Sequence, residues 1–204
     1  RDYYASRGLG DVYKRQTYFD NFIEFYKSAL NYIIDINIQG RFFVEEFTSI
    51  LLRKILTPFT TGFVDLQSPS GIINSVIVYN YDGYVYASDE SRMLAEYNDN
   101  TFKLGHVTDK YESIFYGRKA QQIALIWGTE FIAGCADCAF QSYCGADPVR
   151  NYSAQNDMYG FRPTSSLCKK HKAIITYIFY LIQNEYDRVM PIFKQWINRN
   201  ENEF

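Results

Sequence analysis

The spacing of apolar residues changes along this 204-residue chain, and that change constrains its fold more than any other feature. From Thr17 onward, apolar residues recur every three or four positions, which predicts a helix that ends near Gly40. A second helix is predicted over residues 44–56, because the same spacing continues there and Pro58 then ends it. Over residues 72–87, β-branched and aromatic residues dominate, which predicts strands. The chain therefore begins as a helical region and continues as a β region.

The β region is predicted to contain a hairpin. Asp82 and Gly83 separate two apolar runs, and this pair is a strong turn signal because Gly accepts a positive φ. After the hairpin we expect a loop and a short strand over residues 102–107. Thr108 is then placed to cap a helix that extends in some form to about Trp127.

The last third of the chain is predicted to be a loop followed by a long helix. Four glycine or proline residues interrupt the segment 134–160, as expected of a loop wrapped around a bound group. A last helix is predicted from about Ser165 to Met190, with Pro191 as a kink or a new start. Together these elements predict the α+β fold class.

Composition and charge exclude several classes of protein. The chain is 47% hydrophobic and 22% charged, which is typical of a globular domain. Its net charge is −2 with no long run of one sign, which argues against a nucleic-acid partner. The longest apolar run, at residues 173–182, is too short to span a bilayer, and no signal peptide is recognisable. We therefore expect a cytoplasmic protein without a nucleic-acid or membrane partner.

Residues 1–16 differ from the rest of the chain. Their last six letters, DVYKRQ, are the translation of GATGTGTATAAGAGACAG, which resembles the adapter of transposon-based sequencing libraries. The alternative is an ordinary N-terminal segment. If the adapter interpretation is correct, the chain is the C-terminal remnant of a longer protein, so these residues are left out of the fold prediction.

All four cysteines follow one pattern, C-x2-C-x5-C-x23-C, at Cys135, Cys138, Cys144 and Cys168. The first three fall on the predicted loop, and the fourth opens the last predicted helix, where the helix end and neighbouring lysines favour the thiolate that binds metal. Three interpretations remain open. Two disulfides are disfavoured by a reducing compartment, and unrelated buried thiols are disfavoured by the clustering of the cysteines. A structural zinc ion and a [4Fe–4S] cluster both accept four thiolates, and spacing alone does not separate them.

The cysteine spacing resembles the cluster-binding end of the SPASM domain, the C-terminal extension of many radical S-adenosylmethionine enzymes that modify peptides. A typical SPASM domain has seven cysteines and two auxiliary clusters, and its first half contains G-x4-C on a hairpin. Here Gly83 lies on the predicted hairpin, but Ser88 stands where that cysteine would be, and Pro148 stands at another cysteine position. No cysteine precedes Gly83. The resemblance therefore implies that the first auxiliary cluster is absent and that the four ligands of the second are complete.

Longer strings resemble the maturase of His-Xaa-Ser systems, a radical S-adenosylmethionine enzyme encoded beside a second such enzyme and small His-Xaa-Ser repeat proteins. This resemblance covers about residues 17–185 and is carried by ILTPFTTGFVDLQSPSGI, IVYNYDGYVYASDESRMLAE, FKLGHV and CAFQSYCGADPVRNY. It implies a helical bridge over residues 17–70, at the end of a partial barrel that is missing here. Residues 71–200 would then form a SPASM-like domain with a hairpin, a cysteine loop and a long C-terminal helix.

The resemblance also implies a function. The intact parent would be a radical S-adenosylmethionine enzyme that modifies a ribosomally synthesised peptide, with a His-Xaa-Ser repeat peptide as substrate and a paired radical enzyme as a possible partner. Its S-adenosylmethionine and a second [4Fe–4S] cluster would belong to the upstream part, because C-x3-C-x2-C occurs nowhere in this sequence. Cys135, Cys138, Cys144 and Cys168 would hold one auxiliary [4Fe–4S] cluster for electron relay or structure. We expect the fragment alone to be inactive. The rival function is a zinc-stabilised module that binds a peptide or protein without redox chemistry.

Four other polar features are candidates for a role at a site. His171 is three residues after the last cysteine, but a surface or supporting role is favoured over a fifth metal ligand. His106 is interpreted as structural, and Asp147, before a proline, as a turn residue. The polar cluster at residues 88–92 is expected to pair internally rather than bind substrate.

Overall fold

The computed structural model describes the backbone of residues 9–63 and 66–198, and the side chains of residues 19–63 and 66–198. The adapter interpretation of residues 1–16 lies outside the described side chains. The described chain forms eight α-helices and three β-strands, with short 3-10 turns between them: α1 (Leu9–Ile38), α2 (Glu46–Leu56), β1 (Val78–Tyr79), β2 (Tyr84–Tyr86), α3 (Asp89–Glu96), β3 (Lys103–His106), α4 (Tyr111–Phe115), α5 (Arg118–Ala124), α6 (Pro148–Gln155), α7 (Ser166–Asn184) and α8 (Tyr186–Asn198). No helix among these residues is long and apolar enough to cross a membrane.

The chain divides into two compact units. The first unit contains Arg1–Thr60 and Ser166–Phe204, and the second contains Thr61–Ser165. The first unit therefore holds α1, α2, α7 and α8, and the second holds the sheet and the remaining helices. The sequence-based limits at residues 70 and 71 remain a prediction.

The first unit is a set of helices around an apolar core. Two features predicted for its N-terminal helices are confirmed: α1 ends before Gly40, which has a φ of +86°, and α2 ends at Leu56. The carboxylate of Glu45 caps α2 by accepting hydrogen bonds from two backbone N–H groups of its first turn. The core consists of fully buried residues from all four helices, namely Leu30, Ile34, Leu51, Leu52, Ile174, Ile175, Ile178, Leu181, Val189, Phe193 and Trp196.

The helix end predicted near Met190 is wrong, and so is the alternative that a new helix starts at Pro191. The helical structure is instead interrupted at Glu185, between α7 and α8, and Pro191 lies inside α8. Proline removes one helical hydrogen bond, yet the residues on both sides of it are buried, with Val189 and Phe193 at 0% exposure. Packing of this apolar face therefore holds α8 together through the proline.

The second unit contains a three-stranded antiparallel sheet in the order β1-β2-β3. The predicted hairpin is confirmed, because Gly83 has a φ of +81° in the turn between β1 and β2. The long first strand predicted from residue 72 is wrong for residues 72–77. Gly71 accepts hydrogen bonds from the backbone N–H groups of Ser75 and Val76, so this segment turns before β1. Buried Ile72 and Ile73 instead join the core of the unit, with Ala87, Phe102, Ala120, Ile123 and Val149.

Three helical features of the second unit differ from the prediction. Residues 89–96 form α3 rather than a loop, because Ser88 and Ser91 form a reciprocal capping box at its start. Thr108 does not cap a helix, since its hydroxyl is hydrogen-bonded to Nδ1 of His106 at 2.8 Å. The helix expected to reach Trp127 is divided at Gly117 into α4 and α5.

Candidate metal centre

The cysteine segment follows a ladder of tight turns. The backbone N–H of Cys138 donates to the carbonyl of Cys135 at 3.0 Å, and Gln141 donates in turn to Cys138 at 2.9 Å. The N–H of Cys144 then donates to Gln141 at 3.2 Å. These three cysteines are half-buried and form no disulfide. Each bond spans three residues, so the ladder presents a cysteine at its first, second and fourth steps.

Both ends of the cysteine segment are hydrogen-bonded to residues 67–70. Before the cysteines, the N–H of Ser70 donates to the carbonyl of Trp127 at 2.6 Å, and the hydroxyl of Ser68 donates to the carboxylate of Glu130 at 2.9 Å. After them, the N–H of Ala146 donates to the carbonyl of Gln67 at 2.9 Å. Hydrogen bonds to one short segment, residues 67–70, therefore close residues 127–146 into a loop.

Helix α6 follows the cysteine segment and positions the loop that comes after it. Asp147 caps α6 by accepting from the N–H of Arg150 at 3.0 Å, so it is a helix cap rather than the turn residue that was predicted. One turn into the helix, Nδ2 of buried Asn151 lies 2.8–3.2 Å from three successive carbonyl oxygens of residues 157–159. The side chain of Gln155 binds the backbone of Phe161 twice, at its N–H (2.8 Å) and at its carbonyl (3.1 Å). Two amide side chains on one helix therefore shape the loop that follows it.

This loop returns to the first cysteine. Gly134, which precedes Cys135, has a φ of +74°, and a Cβ atom built there would lie 2.7 Å from Cγ of Pro163. Only glycine avoids this contact, so residues 161–163 pack directly against the start of the cysteine segment. Between them lies Arg162, which is 6% exposed, and its Nη1 has no hydrogen-bond partner in the described structure.

Cys168 is in the other unit, on the first turn of α7. It is half-buried and forms no disulfide. The ammonium group of Lys170 lies 4.8 Å from the ring centre of Phe22, so its charge is engaged with aromatic rings of the first unit. Across the described residues, no group of three or more His, Cys, Asp or Glu side chains is arranged to hold a metal ion. The structure thus brings three candidate ligands onto one ladder and leaves the fourth on a helix of the first unit.

The residue types suit a thiolate-bound group at this ladder, although the described side chains are not arranged to hold one. The donors are four unbridged thiols, which suit zinc or iron–sulfur chemistry. The loop is closed at both ends, and Gly134 allows Pro163 to pack against the backbone next to Cys135.

The other candidates have structural roles. His171 is 4% exposed, and its ring packs 5.7 Å from that of Phe47 in the first unit, so it is a buried residue rather than the surface residue considered above. The ring of His106 packs edge-on against Tyr84 at 5.3 Å, which confirms its structural interpretation. Internal pairing over residues 88–92 is also confirmed, since Arg92 binds Asp89 at 3.0 Å.

Two positions that resemble lost cysteine sites now begin helices. Ser88, 2% exposed, is the cap of α3, and Pro148 is the first residue of α6. Serine is favoured at a helix cap and proline at the first helical position. Each residue therefore has a local structural reason to occupy its position.

Sequence reasoning missed the hydrogen bonds that Asn151 and Gln155 make to the loop after α6. Their hydrogen bonds join residues six to eight positions apart in irregular chain, where no hydrophobic period applies. The signal that could have indicated these contacts is a pair of glycines, one just before the first cysteine and one in the loop after α6. Gly134 and Gly160 both have positive φ, and a Cβ atom at Gly160 would meet Gln155 at 2.3 Å and Asn151 at 2.5 Å.

Comparison with family models finds no match, and comparison with curated proteins finds none. Solved structures do match. A histidine-tagged form of anSMEcpe with bound AdoMet aligns with a TM-score of 0.58 and 16% identity over 89% of this chain and 45% of that one. "Native anSMEcpe with bound AdoMet and Kp18Cys peptide" aligns with a TM-score of 0.56 and 17% identity over 84% and 44%.

A third structure, "Native anSMEcpe with bound AdoMet", gives a TM-score of 0.57 and 18% identity over 84% of this chain and 44% of that one. The chain therefore spans less than half the length of the proteins it matches. The described chain shares its fold with part of these structures.

Proposed function

We propose that this chain is the auxiliary-cluster region of a radical S-adenosylmethionine enzyme that modifies a ribosomally synthesised peptide. The observation that carries this proposal is the complete C-x2-C-x5-C-x23-C set in a chain with this fold. The matched proteins are recorded with AdoMet, and two of them with peptides, which supports a parent that uses both. On the basis of the resemblance to His-Xaa-Ser maturases, we propose a His-Xaa-Ser repeat peptide as the substrate.

Cys135, Cys138, Cys144 and Cys168 are the proposed ligands of one [4Fe–4S] cluster. When bound, such a cluster supplies one-electron chemistry. Because four cysteines complete the coordination of four irons, no iron is left for substrate, and we assign the site to electron relay or structural support. The chain's own contribution is to hold the ladder of turns and to close its ends through residues 67–70.

The proposal is tested by metal content. The whole chain is purified without oxygen and reconstituted with iron and sulfide, while a parallel sample receives zinc. We expect about four irons and four sulfides per chain, with an absorption and Mössbauer signature of a [4Fe–4S] cluster. Cys138→Ala and Cys168→Ala should each abolish stable assembly. Ser142→Ala, an exposed change on the same ladder, is the matched control and should retain the cluster.

The zinc sample decides against the rival function. One tightly bound zinc ion with no stable cluster would contradict the redox proposal and favour a zinc-stabilised binding module. Loss of the cluster in Cys138→Ala but not in Cys168→Ala would contradict the assignment of the fourth ligand. Recovery of the upstream gene sequence gives an independent check, since a parent enzyme of this class requires C-x3-C-x2-C.

A further inference from the structure

An open groove runs along one side of the first unit, between α1 and α7. Its volume is about 690 Å³, which is within the range of ordinary ligand sites. Two contacts show that the helices run in the same direction there. The ammonium group of Lys170 lies 4.8 Å from the ring centre of Phe22, and that of Lys27 lies 5.8 Å from the ring centre of Tyr177.

Two lysines at one end of this groove have no counter-charge. Lys169 and Lys172 lie one turn apart on α7 and line the groove, and neither has an ion-pair partner among the described residues. Lys27, farther along, is already paired with Glu24 at 2.9 Å. The end of the groove near Lys169 and Lys172 therefore favours an anion.

The rest of the groove is largely apolar. Ile23, which is 8% exposed, and Ala173 line it from the two helices. The rings of Tyr177 and Tyr180 stack beside them, with centroids 6.1 Å apart and an angle of 11° between the ring planes. The hydroxyl of Tyr177 is hydrogen-bonded to the side chain of Asn31. A cationic end that continues into an apolar groove suits a molecule with both carboxylates and apolar side chains.

The walls of the groove determine the backbone conformation of its occupant. Both walls are helices, whose interior N–H and C=O groups are bonded within the helix. An extended peptide would therefore find few backbone partners here, whereas a helix satisfies its own backbone groups. From Lys169 to Tyr180 the groove is about 16 Å long at 1.5 Å per residue, which is about three turns of a partner helix. Binding of an amphipathic helix in an apolar groove is a recurring mode of peptide recognition.

We infer that this groove binds an acidic amphipathic helix of a peptide partner. The apolar side chains of that helix would pack on Ile23, Ala173 and Tyr177, and its carboxylates would lie beside Lys169 and Lys172. The inference rests on the proposed function in taking the partner to be the peptide substrate. It adds the kind of segment in that peptide which this chain would recognise.

The inference is tested on the metal-free whole chain by fluorescence anisotropy with the labelled peptide AEELIEQLFEQLA. This peptide has apolar residues on one helical face and carboxylates beside them, and we expect saturable binding. The peptide AQQLIQQLFQQLA lacks the carboxylates and should bind about tenfold more weakly, as expected for the loss of two exposed ion pairs. The peptide AEELIEPLFEQLA should bind about a hundredfold more weakly, because its central proline interrupts the helix.

Variants of the chain locate the binding site. The double variant Lys169→Gln/Lys172→Gln should weaken the acidic peptide about tenfold and leave the neutral peptide unchanged. Ala173→Glu, which places a carboxylate on the apolar wall, should weaken both peptides more than tenfold. If Ala173→Glu does not fold, Thr176→Glu, at an exposed position of the same groove, serves instead. Lys194→Gln, an exposed lysine of the same unit outside the groove, is the matched control and should bind as the wild type does.

Three results would overturn the inference. Equal affinities for the acidic and neutral peptides would show that the lysines do not select an anion. Binding of octanoate but of neither peptide would show a site for small anions. A dimer in light scattering that Ala173→Glu dissociates, without peptide binding, would show that a second copy covers the groove.

The outcome is distinguishable from that of the proposed function, because peptide binding is measured without metal and cluster assembly is measured without peptide. Peptide binding by a chain that assembles no cluster would support the groove while the proposed function fails. Cluster assembly by a chain that does not bind the acidic peptide would overturn this inference alone.

Discussion

The two units of this protein are stabilised in different ways. In the first, the buried side chains are almost all aliphatic or aromatic and come from four helices, with Leu30, Leu51, Ile175 and Trp196 at 0% exposure. In the second, regular structure is short, and β1 has only two residues. Hydrogen bonds from polar side chains to backbone groups stabilise much of the irregular structure in this unit.

This difference shows where a bound group would matter most. Apolar burial stabilises the first unit without any ligand, at about 25 cal/mol for each Å² removed from water. The cysteine region of the second unit depends on turns, caps and amide clamps, each contributing about 1 kcal/mol. A metal or cluster on the ladder would therefore add a large share of the local stability, whereas a ligand has less to add to a helical core.

The largest expected effect is in the helical core. Trp196 is completely buried in α8, and its ring packs 5.7 Å from that of Phe193. Trp196→Ala should lower the free energy of unfolding by about 3–5 kcal/mol, because it removes apolar contacts and leaves a cavity. Tyr186→Ala, at a position 53% exposed in the same helix, should change it by less than about 0.5 kcal/mol.

Denaturant unfolding and amide hydrogen exchange measure this effect. The free energy comes from the denaturant curve, and exchange in α2 and α8 should become faster. If amides of the sheet, residues 78–106, lose protection to the same extent, the two units unfold together and the contrast drawn above is wrong.

A smaller loss is expected at the amide clamp of the second unit. Asn151 is 7% exposed, and its Nδ2 lies within hydrogen-bonding distance of three carbonyl oxygens. Asn151→Ala should lower the free energy of unfolding by about 1–3 kcal/mol, because carbonyl groups lose their donor. Ser153→Ala, on the exposed face of the same helix, is the control. An unchanged exchange rate at residues 157–161 in Asn151→Ala would contradict the clamp.

The same contrast explains how much of the fold could be predicted. The C-terminal ends of α1 and α2 followed from where the apolar spacing stops, because helices that bury one face repeat every 3.6 residues. The hairpin followed from Asp82-Gly83, since its turn requires a positive φ. The turn at residues 71–76 did not follow: its apolar residues suit a strand, and buried Ile73 adopts a φ of +68°, which tertiary packing imposes.

The candidate site was predicted only at the level of its donors. Cysteine spacing identified the four proposed ligands, but it carries no information about the chain that supports them. Residues 67–70 reach the ladder from about sixty positions earlier in the sequence. Arg162 is one arginine in a polar loop, and only the structure shows that it is buried.

A loss of about 1 kcal/mol is expected at the start of α3. Ser88 accepts from the N–H of Ser91 at 3.2 Å, and the hydroxyl of Ser91 binds the N–H of Ser88 at 2.9 Å. Ser88→Ala removes one half of this box and should lower the free energy of unfolding by that amount. Glu90→Ala, an exposed change in the same helical turn, should cost less. A greater loss in Glu90→Ala than in Ser88→Ala, measured by denaturant unfolding, would count against the cap.

The smallest effect expected is a dependence on pH at the entry to the cysteine segment. The pKa of Glu130 lies below its ordinary value of 4.5 because its carboxylate accepts a hydrogen bond from its own backbone N–H, and hydrogen bonds from Ser68, Gln141 and Thr129 outweigh the opposing effect of burial. A carboxyl group with a lowered pKa stabilises the folded state at pH values above its pKa in the unfolded chain. This contribution disappears as pH falls through the pKa of the folded state.

In metal-free wild type, protection of the Thr129 amide, which donates to Ser68 at 2.9 Å, should therefore decrease below about pH 4.5. Glu130→Gln should flatten that acid dependence, whereas Asp137→Asn, exposed on the same segment, should leave it unchanged. An acid profile that is identical in wild type and Glu130→Gln would show that the closure of this segment depends on backbone bonds alone.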